Sequence, residues 1–213
     1  MVWIVSTLWT PIGKKLLMAV SGVCFCMFLT VHLAGNLTLY SGSNLFVAYA
    51  QRLHQLGILI IVSEWGLMVL AMIHVSTGSI LFYENRRARP VSYKVNRRAG
   101  GRTLASATMP YTGFAVFAFV IYHLLNFHFA DRTNQTIYQI VADTFSHPGR
   151  VFVYALAMAV AALHVRHGFW SLFQTLGADH PKYMPMVKGM SILFSLIIGF
   201  GFGVIPIYML FAG

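Results

Sequence analysis

Five long apolar runs constrain what this chain can fold into. Each run has about 20 or more predominantly apolar residues, the length that an α-helix needs to cross the hydrocarbon core of a bilayer. The chain has 58% hydrophobic and only 9% charged residues, too few polar side chains to cover a soluble fold of 213 residues. We therefore expect one all-α transmembrane domain over residues 1–213. The runs predict helices I to V at 14–40, 57–83, 109–130, 150–176 and 186–211.

The basic residues are sorted to one side of these helices. The formal net charge is +10, yet the side that holds the II–III and IV–V connections carries most of it. The opposite side has only Arg52, Arg132 and Arg150. The positive-inside rule then predicts a cytoplasmic N-terminus and an external C-terminus, and the charge indicates topology rather than nucleic-acid binding. The residues on the basic side are Lys14, Lys15, Arg86, Arg87, Arg89, Lys94, Arg97, Arg98, Arg102, Lys182 and Lys188.

Four histidines lie inside four different predicted helices: His32, His74, His123 and His164. Ionisable groups at such positions are costly and usually functional. Neutral imidazoles from several helices can clamp a flat metal cofactor such as haem from both faces. The alternative is that each histidine only hydrogen-bonds a neighbouring helix, but four histidines at matching depths favour ligation.

The depths of these histidines predict how they pair. Helices I and III run outward and carry His32 and His123 late, whereas helices II and IV run inward and carry His74 and His164 past their midpoints. The sequence therefore predicts an outer haem between His32 and His123 and an inner haem between His74 and His164, on the order of 10 Å apart in depth. His167 is one turn from His164, and depth alone leaves it open as the inner ligand.

Other ligands and other metals are less favoured. His54, His128, His147 and His180 fall at span ends or in connections, where interfacial roles are expected. No histidine or cysteine pair has zinc spacing. Cys24 and Cys26 are too close on one helix for a mutual disulfide and lack a Cys-x-x-Cys-His context, so any haem is expected to be bound non-covalently. No cleavable signal peptide is expected before helix I.

The sequence around these histidines resembles the dihaem cytochrome b membrane-anchor subunit of bacterial succinate:quinone oxidoreductase and fumarate reductase. The resemblance covers all five helices. The motifs that carry it are Gly13-Lys14-Lys15, His32-Leu-Ala-Gly35-Asn36, Ile73-His74-Val-Ser-Thr-Gly78, Tyr122-His123, and His164-Val-Arg-His167-Gly168-Phe-Trp170-Ser171 followed by Phe-Gln174-Thr-Leu-Gly177.

This resemblance implies two haem b groups with axial ligands His32, His74, His123 and His164, and it selects His164 over His167. It also implies a bacterial cytoplasmic (inner) membrane location and two partner subunits. One is a cytoplasmic flavoprotein with covalent FAD, where succinate and fumarate interconvert, and the other is an iron-sulfur subunit. The chain would then be part of an enzyme whose substrate site lies on a partner, and it would pass electrons to or from a quinone, by analogy menaquinone.

Three further predictions concern protons and partners. Some relatives carry a glutamate proton route two residues before the helix IV ligand, and Ala162 at that position argues against such a route here. Glu64, the only carboxylate within the predicted helices, is a candidate proton relay for the quinone, or else it hydrogen-bonds a neighbouring helix or reaches the surface. Lys14, Lys15 and the 86–102 connection are expected to dock the iron-sulfur subunit.

Two other classes of function remain open on the sequence. One is a cytochrome b anchor of another respiratory dehydrogenase, such as a hydrogenase or formate dehydrogenase. The other is a haem-free membrane anchor or transporter, which would be colourless.

Overall fold

The computed structural model describes residues 2–88 and 104–212, and within these ranges the chain forms helices and no strands. The predictions made for Arg89, Lys94, Arg97, Arg98 and Arg102 fall outside the described residues.

Five of the helices are long and apolar enough to cross a membrane, so the predicted all-α, multi-pass fold is confirmed. Three shorter helices precede or connect them. The helices in chain order are α1 (Val2–Leu8), α2 (Pro11–Asn36, with a 3₁₀ extension Leu37–Ser41), α3 (Ser43–His54), α4 (Ile58–Arg87), α5 (Leu104–His123, with a π-helical extension Leu124–His128), α6 (Ile137–Phe145), α7 (Pro148–Thr175) and α8 (Met184–Ala212).

The boundaries differ from the predicted ones mainly where polar residues continue a helix. α4 runs on to Arg87 and α5 begins at Leu104, because polar side chains at a membrane surface need not end a helix. α3 and α6 lie where the sequence predicts connections. They are too short to span, and α6 begins with a reciprocal capping box between Thr136 and Gln139.

Side-chain contacts fix the directions of the long helices. The ion pair Lys14–Glu84 joins the start of α2 to the end of α4. Asn126 Nδ2 donates to Tyr154 Oη at 2.9 Å and joins the end of α5 to the start of α7. The rings of Tyr40 and Tyr208 meet at 4.6 Å, so α2 and α8 run in the same direction. The bundle therefore has a basic end, where α2 starts, and a far end, where α2 stops.

The buried apolar core is concentrated at the far end. Leu39, Ile198 and Met209 are its most buried members, and α6 packs Val141 and Phe145 into the same cluster. A smaller cluster around Trp170 and Met184 lies at the basic end. Most other large apolar side chains point away from the bundle, as expected for a surface covered by lipid.

Candidate functional site

Two histidine pairs lie between the long helices. The ring centres of His32 on α2 and His123 on α5 are 6.0 Å apart, with the ring planes at 86°. Those of His74 on α4 and His164 on α7 are 6.4 Å apart, at 69°. The structure thus brings together the same residues that depth counting pairs.

The two pairs lie at different levels along the bundle. On α2, Ser21 contacts His74 and His32 contacts His123, so one helix meets both pairs at different points along its length. The two contact points are about three helical turns apart, or about 16 Å along the helix axis. This offset is larger than the one expected from the sequence, because the sequence alone does not show how α2 and α4 are aligned.

Hydroxyl groups surround the basic-end pair. Ser21 Oγ lies 2.8 Å from His74 Nδ1, and Thr112 Oγ1 lies 3.3 Å from His164 Nδ1. Gly113 leaves room for the His164 ring, since a Cβ added there would lie 3.1 Å from His164 Cε1. The basic-end pair is therefore oriented by polar contacts, and the absence of a side chain at Gly113 makes room for the His164 ring.

Aromatic rings surround the far-end pair. Phe28 stacks on His32 at 5.1 Å, and Phe202 approaches the same ring at 5.4 Å. His123 is flanked by Phe119, Phe127 and Tyr154 at 6.0, 5.1 and 6.2 Å. Among the described residues, no hydrogen-bonding group reaches a ring nitrogen of either histidine, so packing alone sets these two ring positions.

His167 does not join the basic-end pair. Its ring meets the edge of Trp170 at 5.3 Å, whereas His164 is the α7 residue that faces His74. The Nδ1 atom of His167 is buried without a hydrogen-bond partner in the described part of the chain. Buried polar atoms are nearly always paired, so this nitrogen fits a site whose remaining polar partner comes from a bound group.

The donor set fits haem iron better than a bare metal ion. Two imidazoles on opposite sides of one metal, each with a bond of about 2 Å, have ring centres roughly 6 Å apart. Over the described ranges, no three histidine, cysteine or acidic side chains converge, and zinc takes at least three protein ligands. A porphyrin supplies four nitrogens itself and needs only two from the protein. Cys24 and Cys26 are free.

Two expectations from the sequence change: that Lys14 belongs to a docking surface, and that Glu64 is the only carboxylate within a span. The Lys14 side chain is only 4% exposed, and its Nζ lies 2.5 and 2.6 Å from the two carboxylate oxygens of Glu84. The Lys14 side chain is therefore buried and offers little surface for docking, although its partner Glu84 is 46% exposed; Lys15 is exposed. Because α4 continues to Arg87, Glu84 lies within a span, and Glu64 is not the only carboxylate there.

Glu64 lies two turns from the start of α4, in a stretch, residues 61–66, in which every residue is exposed. Its depth follows from the alignment of α2 and α4. Lys14 meets Glu84 and Ser21 meets His74, so the two helices are antiparallel. Moving 11 residues along α2, from Ser21 to His32, therefore corresponds to moving 11 residues back along α4 from His74. That position is next to Glu64. Glu64 is thus level with the far-end pair, and its side chain is exposed.

Ala162 faces α8 at a point of close approach. A Cβ added at Gly199 would lie 2.8 Å from the Ala162 Cβ. A glutamate at position 162 would therefore meet the α8 backbone, which gives the absence of a carboxylate there a steric reason.

Ser21 and Thr112 are not among the residues predicted from the sequence, because serine and threonine are common in membrane helices and usually bond their own backbone. The sequence nonetheless contains a pattern that could have pointed to these two residues. Ser21-Gly22 precedes His32, and Thr112-Gly113 precedes His123, by the same spacing. That spacing is about three helical turns, which puts hydroxyl and histidine on one helix face.

Comparison of the chain with protein-family models, with curated proteins and with solved structures found no match. The resemblance to the dihaem cytochrome b subunits thus stays a prediction based on the motifs quoted above.

Proposed function

We propose that this protein is a membrane-anchor subunit that binds two haem b groups and carries electrons between a dehydrogenase and a quinone. The observation that supports this most strongly is the presence of two histidine pairs, each with metal-bridging spacing, at two levels of one membrane bundle. Four helices contribute one histidine each, so each cofactor would be held from both sides by different helices.

The residues favour electron transfer over chemistry at the metal. When bound, haem would supply a one-electron couple at its iron. His32 and His123 would hold one haem, and His74 and His164 would hold the other. With two histidines bound to each iron, no position would remain open for dioxygen or a substrate. The chain would therefore orient the two groups and exclude water from them.

The basic end would receive electrons from a partner. Lys15, Arg86 and Arg87 are exposed there, at the end of the bundle nearer to His74 and His164. We propose that they bind an acidic face of an iron-sulfur subunit, which in turn binds a flavoprotein subunit with FAD. Reversing the charge of Arg86 and Arg87 should weaken binding of that subunit without changing the orientation of the spans. Unchanged subunit affinity would remove the docking proposal.

The far end would exchange electrons with the quinone. Glu64 is level with His32 and is exposed, so a lipid-soluble quinone could reach it. Quinone reduction consumes two electrons and two protons, and a carboxyl group beside the far-end pair can pass those protons. With the predicted orientation, the protons come from outside and the electrons from the cytoplasm. Turnover would then move charge across the bilayer, at about 2.3 kcal/mol per charge per 100 mV. Menaquinone is the expected quinone by family analogy.

Purification of the chain with its natural partners separates the possible functions. Succinate dehydrogenase or fumarate reductase activity in the purified complex, with a reduced-minus-oxidised b-type spectrum, supports the proposal. Hydrogenase or formate dehydrogenase subunits in their place would keep the haem assignment and replace the proposed substrate chemistry. A colourless preparation would contradict haem binding and favour a structural anchor or transporter.

A further inference from the structure

The hydroxyl of Ser21 has a defined direction. Ser21 is 1% exposed, and its Oγ lies 2.7 Å from the Leu17 carbonyl oxygen and 2.8 Å from His74 Nδ1. A hydroxyl has one proton to donate. With that proton donated to the Leu17 carbonyl oxygen, which can only accept, Ser21 Oγ is left to accept from His74 Nδ1.

The same reasoning applies to Thr112. Its Oγ1 lies 3.0 Å from the Met109 carbonyl oxygen and 3.2 Å from that of Thr108, and 3.3 Å from His164 Nδ1. The Thr112 proton is used by its own helix, so the oxygen is left to accept from His164. The longer distance makes this the weaker of the two contacts.

Both contacts define the same tautomer. A neutral imidazole carries one proton, and a proton on Nδ1 leaves the lone pair of Nε2 free to bind a metal. Hydrogen bonding to the non-ligating nitrogen also fixes ring orientation and raises the basicity of the ligating one. The basic-end pair is therefore set for coordination through Nε2.

The helices that carry these hydroxyls also carry the far-end histidines. Ser21 and His32 are on α2, and Thr112 and His123 are on α5, with the same spacing in both helices. A spacing of about three helical turns returns to the same face. Each of these two helices thus supplies a ligand at one level and a ring-orienting hydroxyl at the other.

We infer that Ser21 and Thr112 are positioning residues that fix the Nδ1–H tautomer of His74 and His164 and tune the reduction potential of the basic-end haem. This inference rests on the proposed haem binding. Loss of the acceptor makes the imidazole a poorer donor to ferric iron, so the potential of that haem should rise. Loss of such a partner typically weakens metal binding about 10- to 100-fold.

The test compares Ser21→Ala with Ser191→Ala in the full complex. Ser191 is also 1% exposed and its hydroxyl also donates to its own helix, at 2.7 Å to the Lys188 carbonyl oxygen, but it forms no hydrogen bond with a histidine among the described residues. Ser21→Ala should raise one of two midpoint potentials, or lower the occupancy of that haem, with the other haem unchanged. Ser191→Ala should change neither, and Ser21→Thr should restore the wild-type values.

A measurement on the wild-type protein keeps the test valid if Ser21→Ala does not fold. Nitrogen NMR of histidine-labelled, reduced protein distinguishes Nδ1–H from Nε2–H. A proton on Nδ1 of His74 and His164 is expected. Two bound haems with potentials unaffected by Ser21→Ala would overturn this inference and leave haem binding intact. Protons on Nε2 at these histidines would overturn both this inference and coordination through Nε2. Absence of haem from the wild-type protein would overturn this inference and the proposed haem binding.

Discussion

The basic-end and far-end histidine pairs are built from different contacts. His74 and His164 each have a hydroxyl oxygen within 3.3 Å of Nδ1. His32 and His123 have aromatic rings around them, and no hydrogen bond from the described residues. One pair is oriented by directional polar contacts and the other by the shape of its surroundings.

This difference affects how the two levels respond to substitution. A hydrogen bond acts on the electron density of the imidazole, so small polar substitutions should change the basic-end site electronically. Aromatic packing acts on ring position, so the far-end site should respond mainly to changes in volume. If the two sites are built in these separate ways, substitutions should alter one site and leave the other unchanged.

The largest expected effect comes from removing one of the proposed haem ligands. His74→Ala should abolish or strongly reduce the basic-end haem and keep at least part of the far-end haem, because other helices supply the far-end ligands. His32→Ala should do the reverse. Haem content per chain and redox titration measure both. Retention of two haems in His74→Ala would contradict the assignment.

Glu64→Gln should act at the far end alone. Glutamine keeps the shape of the side chain but cannot take up and release a proton. The variant should therefore retain both haem spectra and dehydrogenase activity with an artificial dye acceptor. Quinone-linked activity in proteoliposomes should fall to a small fraction of the wild-type rate. Undiminished quinone turnover would exclude Glu64 as the proton relay.

Gly113→Ala should disturb the basic-end pair. The new methyl group would lie 3.1 Å from His164 Cε1, so that ring must shift by a few tenths of an ångström. Gly66→Ala is the matched control, since a Cβ there meets nothing within 4 Å. Gly113→Ala should change the midpoint potential or spectrum of one haem. Gly66→Ala should leave both haems unchanged and, if anything, stabilise the helix by up to about 1 kcal/mol.

The smallest expected effect is on stability at the basic end. Lys14→Met leaves the Glu84 carboxylate without its partner, and a double-mutant cycle with Glu84→Gln should give a coupling of about 0.5–3 kcal/mol. Lys15→Met is the control, because Lys15 is exposed. Thermal unfolding in detergent, followed by haem absorbance, measures all four variants. Additive effects of the two substitutions would show that the ion pair does not clamp α2 to α4.

The sequence predicts the spans, and which of the four histidines lie close together, for physical reasons. Apolar run length determines which segments can cross a bilayer, and the depth of His32, His74, His123 and His164 follows from helix direction. The contact of Ser21 with His74 could not be predicted, because it depends on how α2 and α4 are aligned. Glu84 falls just beyond the predicted end of helix II, so the sequence does not place it in a span. Burial of Lys14 could not be predicted because its partner lies 70 residues away in sequence.

Haem content of the purified protein tests the central proposal most directly. The chain should be purified from a haem-replete host in mild detergent, and the haem should be extracted and quantified against protein. Two non-covalently bound b-type haems per chain are expected, with a reduced-minus-oxidised spectrum that titrates in two one-electron steps. A single haem would leave one histidine pair without its proposed role, and no haem would contradict the account.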